Sequence, residues 1–382
     1  MRKISLAFIL SLSFSLDSFA TSYRFEKILS TEDGYTYLSR PSINNNGAMV
    51  FNASFDHSMQ RGIFLFNENN LTNIVDDSGS IFAVGVGYLN DLNTVAYSFS
   101  SFATGQTIMT YEGGVHSTIV TGAEYWPPIL GGINDSKMIM FAANIPNGHY
   151  GIATRNQTET TIITDGNISN PVPYSIGGIS GDGTVVFSSI SPKGYTLYIG
   201  DGNSISPIAT SGLDGEFYTL GLTGFVINEL GSVAFWAGKS GEASGYFLFD
   251  GSTTHRIAPD DYPIFDTLSL NNNLDVAYLS AYFNPLEFTF RTEINAQING
   301  QKSHILGTGE SLFGERITSL ELSNHAFNEH GQISFLAGFE SGEQAIVLAS
   351  PIPEPSKIIL FLTGLLMLTI VVRSRYMNNV SY

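Results

Sequence analysis

Seven histidines, two acidic pairs and one tyrosine-tryptophan step are the residues of this chain whose types could do chemistry. The histidines are His57, His116, His149, His255, His304, His325 and His330, and none forms HExxH or a pair at metal-ligating spacing. His325 and His330 are five apart, which suits neither one helix face nor one strand face, so these rings read as ordinary surface side chains. Asp76-Asp77 and Asp260-Asp261 offer oxygens of the kind Ca²⁺ takes, but neither belongs to a complete calcium loop. Solvated turn carboxylates are the plainer reading, and no cofactor is expected. Glycoside cleavage needs two carboxyls roughly 5 to 9.5 Å apart, a separation that sequence does not display. Tyr125-Trp126-Pro127-Pro128 sets a stiff tryptophan beside two prolines. Such a group can stack on a sugar ring, with packing into core or rim as the competing reading.

The remaining catalytic vocabulary is missing. There is no cysteine, hence no disulfide, thiolate nucleophile or thiolate metal site. No G-x-S-x-G elbow, P-loop or dinucleotide fingerprint occurs. Gly177-Gly178-Ile179-Ser180-Gly181-Asp182-Gly183 is glycine-rich, but it falls on a repeated turn and lacks the following helix that would cradle phosphate. No catalytic residue is assigned.

What would position such residues is a repeat. Asn228-Glu229-Leu230-Gly231-Ser232-Val233-Ala234-Phe235 has the pattern N-x-x-G-x-hydrophobic-x-aromatic. Further copies begin at Asn44, Asn90, Asn134, Ser180, Asn271 and Asn328. The closing aromatics are Phe51, Tyr97, Phe141, Phe187, Phe235, Tyr278 and Phe335, spaced by 46, 44, 46, 48, 43 and 57 residues. In each copy Asn and Gly are expected to supply the left-handed backbone of a tight turn. A strand follows, apolar on both faces and therefore held between two layers. A third strand (Gly62 to Phe66, Gly245 to Phe249), a hairpin (Glu112-Gly113-Gly114, Asp201-Gly202, Asp250-Gly251) and a fourth strand complete the unit.

Four strands in about 47 residues, seven times over, predict an all-β, seven-bladed β-propeller. The seventh unit stops after its third strand, Gln344 to Ala349. Tyr23 to Gly34 repeats the fourth-strand pattern, so the N-terminal strand is expected to close the last blade and remove two sheet edges. An open β-solenoid and a pair of β-sandwiches are the rival folds. The sixth unit is overlong around Pro285 to Gln297, through either two long strands or, more commonly, an outer loop. Composition agrees with β structure: 39 Gly, 27 Phe and 18 Tyr, with 13% charged residues. The net charge is −17, and five of the 17 basic side chains but only two of the 34 acidic ones lie in the tails. So acidic a body repels nucleic acid and anionic lipid.

The two ends read as addresses. Arg2 and Lys3 precede an apolar run from Ile4 to Leu16, and Ser18-Phe19-Ala20 fits a signal cleavage site after Ala20, against the alternative of a retained anchor. Near the other end, Pro353-Glu354-Pro355 precedes an apolar run, Ile358 to Val372, which is expected to be a single transmembrane helix ending at Arg373 and Arg375. At about 1.5 Å per residue that helix spans about 22 Å, with Lys357 and Arg373 snorkelling toward a core of about 30 Å. The expected layout is a signal peptide at 1–20, the propeller at 21–350 and a sorting tail at 351–382.

The order Pro-Glu-Pro, apolar run, basic cluster resembles the PEP-CTERM sorting signal over about thirty residues. The resemblance implies export, anchoring in the inner membrane facing the periplasm, processing by an exosortase-type enzyme and release to the cell surface or an exopolysaccharide matrix. The repeats resemble NxxGxxAF tandem-repeat surface proteins over roughly residues 25 to 350, and Asn228 to Phe235 matches that string outright. That likeness carries no known activity. The expectation is a non-catalytic binding or structural module linked to extracellular polysaccharide. The alternatives are a glycan-active lyase or hydrolase with acids in the central channel, or a partner of a membrane complex.

Overall fold

Seven antiparallel sheets, one per repeat, follow one another round a ring. The computed structural model describes residues 22–352 apart from 56–59, 147–148, 168–170, 213–214, 243, 260–262 and 285–288. The innermost strands are Ile81–Leu89, Trp126–Ile133, Pro173–Ile179, Thr219–Ile227, Pro263–Leu270 and Glu315–Phe327 in blades 2 to 7. In blade 1 that place is shared by Tyr35–Leu38 and Ser42–Ile43, both paired with Met49–Phe55.

The repeat motif explains the packing. Its turn joins the innermost strand to the second, and its aromatic lands on the second strand, where all seven such rings are at most 2% exposed. Several stack on an aromatic of the third strand, Phe51 on Phe64 at 6.0 Å, Phe187 on Tyr198 at 5.5 Å and Phe235 on Phe247 at 6.0 Å. The intervening small or aliphatic residue faces the neighbouring blade. Val50 thus packs with Val95 and Tyr97 between blades 1 and 2, and Ala96 with Phe141 between blades 2 and 3. Burying one such ring contributes about 2–3 kcal/mol, and each blade junction holds its own apolar cluster.

The ring closes as expected. Tyr23–Ser30 pairs antiparallel with Gln344–Pro351, from Tyr23 opposite Pro351 to Ser30 opposite Ala345, and becomes the outer strand of blade 7. Lys27 reaches Glu343 at 2.7 Å in that seam, and the Glu343 side chain is 3% exposed.

Two expectations are corrected, and one open alternative is decided. The asparagine that opens each motif is not left-handed; the positive φ falls three residues later, at Gly47, Asn93, Lys137, Gly183, Gly231, Leu274 and Gly331. The excess of the sixth unit lies in two long strands, Val276–Asn284 and Thr289–Ile298, not in a simple loop. The predicted transmembrane helix is not part of the fold. No helix among the described residues is long and apolar enough to cross a membrane, and the one helical element is the short 3₁₀ turn Thr31–Asp33. Antiparallel strand pairing takes up the described chain from Tyr23 to Pro351 and leaves no long helix within it. The run itself, the sorting residues Pro353, Glu354, Pro355, Arg373 and Arg375, and the cleavage residue Ala20 lie outside the described residues.

Candidate functional site: the two mouths of the central channel

At one mouth the motif asparagines tie neighbouring blades together. Each Oδ1 accepts the backbone N–H four residues on, as Asn44 does from Ala48 at 2.9 Å and Asn134 from Met138 at 2.8 Å. Each Nδ2 donates to the carbonyl of the matching residue in the next blade. The links run Asn44 to Asn90 (2.9 Å), Asn90 to Asn134 (3.0 Å), Asn134 to Ser180 (2.8 Å), Asn228 to Asn271 (3.0 Å), Asn271 to Asn328 (3.2 Å) and Asn328 to Asn44 (3.0 Å). The asparagine amide carries its acceptor and its donors on separate atoms of one short side chain, so it can order its own turn and reach the next blade at once. Ser180 cannot bridge, because its hydroxyl donates within its own turn to Asp182. At that junction Gly181 N–H donates to the Glu229 carbonyl at 2.9 Å.

The next residue of most motifs makes a second set of links, broken at Asn272, whose buried amide oxygen has no partner among the described residues. Asp91 accepts from Asn45 N–H at 2.8 Å, Asp135 from Asp91 N–H at 2.8 Å, Glu329 from Asn272 N–H at 2.8 Å, and the Asn45 amide oxygen from Glu329 N–H at 2.8 Å. Position 181 has no side chain. Glu229 fills the gap and accepts from Asp135 N–H, and a Cβ at Gly181 would sit 2.8 Å from its Oε2. Four carboxylates thus surround a cavity of about 100 Å³. Burial, then the negative charges of Asp135 and Asp91, push the Glu229 carboxyl up to about 7. Burial also raises Asp135, partly offset by the Asp91 N–H it accepts.

The other mouth is wide, a cavity of about 520 Å³. Its rim carries Tyr37, Arg40 and Arg61 from blade 1 and Glu321 from blade 7. Arg40 Nε lies 3.8 Å from Glu321 Oε2, and the Arg61 guanidinium sits over the Tyr37 ring at 5.8 Å. Ser39, Asn52, Ser323 and Asn324 add hydroxyl and amide groups. The lining also includes Gly85, Gly87, Gly131 and Gly177 beside Tyr88 and Ile176, and a Cβ at Gly177 would strike Phe225 of the next blade at 2.4 Å. Gly177 therefore serves close approach of blades within a strand, not the turn to which its sequence context pointed.

His325 borders both cavities, and its ring meets Tyr88 edge to face at 5.7 Å. Burial holds its imidazole down at about 4, so it is neutral around pH 7. It is half-buried between the two cavities, in contrast to the surface position expected for it. His116 is exposed, as expected, and its Nδ1 meets the Tyr97 hydroxyl at 2.7 Å.

The sequence-predicted stacking pair separates. Tyr125 packs edge to face on Phe141 at 5.2 Å against the core between blades 2 and 3. Trp126 is 56% exposed at the start of the innermost strand of blade 3. Asp76 accepts from Asn73 Nδ2 at 3.0 Å and Asp77 from Arg61 N–H at 2.7 Å, as turn carboxylates do. Asp260 and Asp261 lie outside the described residues, and among those described no three His, Asp or Glu side chains are placed to hold a metal ion.

No family model and no curated protein matches the chain. Solved structures do. The β-propeller domain of the Trilobed protease from Pyrococcus furiosus superposes with a TM-score of 0.54 at 10% identity, over 85% of this chain and 97% of that one. Prolyl oligopeptidase B from Galerina marginata also reaches 0.54, at 13% identity, over 85% of this chain and 50% of that one. One of two structurally analysed prolyl endopeptidases gives 0.54 at 10%, over 84% and 51%. The likeness is one of fold alone. The chain spans about half the length of these two peptidases. The Pyrococcus domain is described as an open velcro ring, whereas Tyr23–Ser30 completes the last blade here.

The four ring carboxylates, the two rim arginines and Glu321 were all missed by sequence reasoning. One signal was available: an acid directly follows the motif asparagine in Asn90-Asp91, Asn134-Asp135, Asn228-Glu229 and Asn328-Glu329. Nothing local marks Arg40 or Arg61, which line one cavity only because of how blade 1 folds.

Proposed function

We propose that this protein is an exported, non-catalytic binding module that takes its ligand at the wide mouth of the propeller. The observation that carries the reading is the distribution of carboxylates. The wide mouth has room for a sugar-sized group, about 520 Å³, and one rim carboxylate, Glu321, opposed by Arg40. The clustered acids surround about 100 Å³ at the opposite mouth and are engaged with backbone N–H groups. Glycoside hydrolysis generally uses two carboxyls flanking a sugar-filled space, and neither mouth combines the two. Export and release through an exosortase-type enzyme rest on the leader at 1–20 and on Pro353-Glu354-Pro355. Extracellular polysaccharide is the proposed partner.

The test is to incubate the full chain with polysaccharide from its own host, then measure co-sedimentation and the polymer's size distribution. Retention with unchanged chain length is expected. Shortened polymer would replace this reading with an enzymatic one, and no retention would remove the polysaccharide as partner.

A further inference from the structure

The rim of the wide mouth reverses the sign of the molecule. The chain carries −17, yet the charged side chains at this cavity are Arg40 and Arg61 against Glu321 alone. Asp77 is close by, but it is turned to the Arg61 backbone N–H and leaves the guanidinium over Tyr37. Tyr37 is 45% exposed, so part of its ring stays open beside the guanidinium that lies over it, and the guanidinium offers N–H donors at its edge. Hydroxyl and amide groups continue the lining. Ser39 Oγ accepts from Asn52 N–H and keeps its own O–H to donate, and Asn324 stands beside Ser323 on the facing strand.

The ends of the strands add a second asymmetry. Each blade turns at the asparagine ring on one side, and its second strand ends, and its first begins, on the other. Every exposed large aromatic among the described residues lies on the wide-mouth side, including Tyr37, Phe82, Phe102, Trp126, Tyr174 and Tyr218. Phe82 and Phe102 pair at 4.8 Å while remaining 53% and 83% exposed. The exposed large residues at the asparagine-ring side are aliphatic, such as Leu92, Val115 and Leu230.

From these observations we infer that the wide mouth binds a carboxylate-bearing sugar unit of an acidic glycan, its carboxylate on Arg61 and Arg40 and its ring against Tyr37. The inference rests on the binding reading above and narrows it to a ligand class. A guanidinium recognises a planar carboxylate through two parallel N–H donors, and the second arginine adds charge. Mixed hydroxyl and amide partners suit a polyol, and exposed aromatic rings suit the apolar faces of further sugars along the chain. A long polyanion bound over the whole surface is disfavoured by the acidic body, so recognition falls on one or two units at the mouth.

Calorimetric titration of the full chain with a uronate oligosaccharide, with the same oligosaccharide after reduction of its carboxyls to alcohols, and with a short peptide bearing a free C-terminal carboxylate tests this. Binding of the uronate form, weakened about tenfold or more by carboxyl reduction and equally by Arg61→Gln, is expected. Lys137→Gln removes the same charge at the opposite mouth, where Lys137 pairs with Glu112, and should leave binding unchanged. Arg61 is exposed, and unchanged thermal unfolding of Arg61→Gln verifies its fold. Equal affinity for the reduced sugar would overturn the carboxylate assignment and leave the binding reading standing. Arg61-dependent binding of the peptide in place of the sugar would overturn the glycan assignment. No binding of any of the three overturns the inference, while the co-sedimentation experiment then decides the broader reading by itself.

Discussion

Asn328 and Asn44 stand 284 residues apart in the chain, and the amide of the first donates to the carbonyl of the second at 3.0 Å. That bond closes a circuit in which six of seven blade junctions use the same side chain in the same way. Each of these asparagines orders its own turn and grips the next blade, so local and global structure depend on one group.

Asn134 is fully buried and holds both bonds. Replacing it with Ala leaves a buried N–H and a buried carbonyl without their partners, a cost of about 2–4 kcal/mol. Asn134→Asp keeps the acceptor but buries a charge beside the Ser180 carbonyl, and should cost at least as much. Urea denaturation measures both. A loss under about 0.5 kcal/mol in either would show that the ring is incidental.

The seam of blade 7 gives a second expectation. Lys27 neutralises Glu343, whose side chain is 3% exposed. Lys27→Met strands a buried carboxylate and should destabilise by about 1–3 kcal/mol, whereas the double variant with Glu343→Gln should recover much of that loss. A double variant no more stable than the single one would deny the pairing.

These two features were unequally legible in the sequence. Seven aromatics at a period near 47 sufficed to predict seven blades, because each repeat must bury one aromatic strand against its neighbour. Closure by Tyr23–Ser30 was legible as well, since the last unit lacked a fourth strand. The task of the asparagine was misjudged: a turn-forming residue and an inter-blade donor look alike until Asn44 and Asn90 are seen side by side. The acids after it occupy a variable position of the motif, and their meaning arises only when the ring brings Asp91, Asp135 and Glu229 together. His325 looked like a surface residue because its sequence neighbours do not reveal that its strand lines a channel.

The carboxylate ring makes stability depend on pH. In the fold Glu229 holds its proton up to about 7, against an ordinary 4.5. The stability contributed by this group is therefore fully present below about 4.5 and is lost as pH rises through about 7. Glu229→Gln keeps the acceptor for Asp135 N–H and removes the charge. It should raise stability above pH 7 by on the order of 1 kcal/mol, a figure reduced for solvent screening of a half-buried group, and should flatten the slope between. Unfolding at about pH 5 and pH 8 checks it, and identical pH slopes for both proteins would refute the coupling.

Tyr125 and Trp126 are adjacent yet should behave differently. Tyr125→Ala opens a space against Phe141 and should cost about 2–4 kcal/mol. Trp126→Ala removes a ring more than half exposed and should cost about 1 kcal/mol or less, while weakening glycan binding. Thermal unfolding and titration of the two variants separate core from surface. Equal destabilisation would place Trp126 in the core.

The central claim, a ligand at the wide mouth, is tested most directly by hydrogen exchange on the full chain with and without host polysaccharide. The account predicts slowed exchange at residues 37–42, 61 and 321–325, with no change at Asn45, Asp91 and Asp135. Protection confined to the asparagine ring, or none at either mouth, would contradict it.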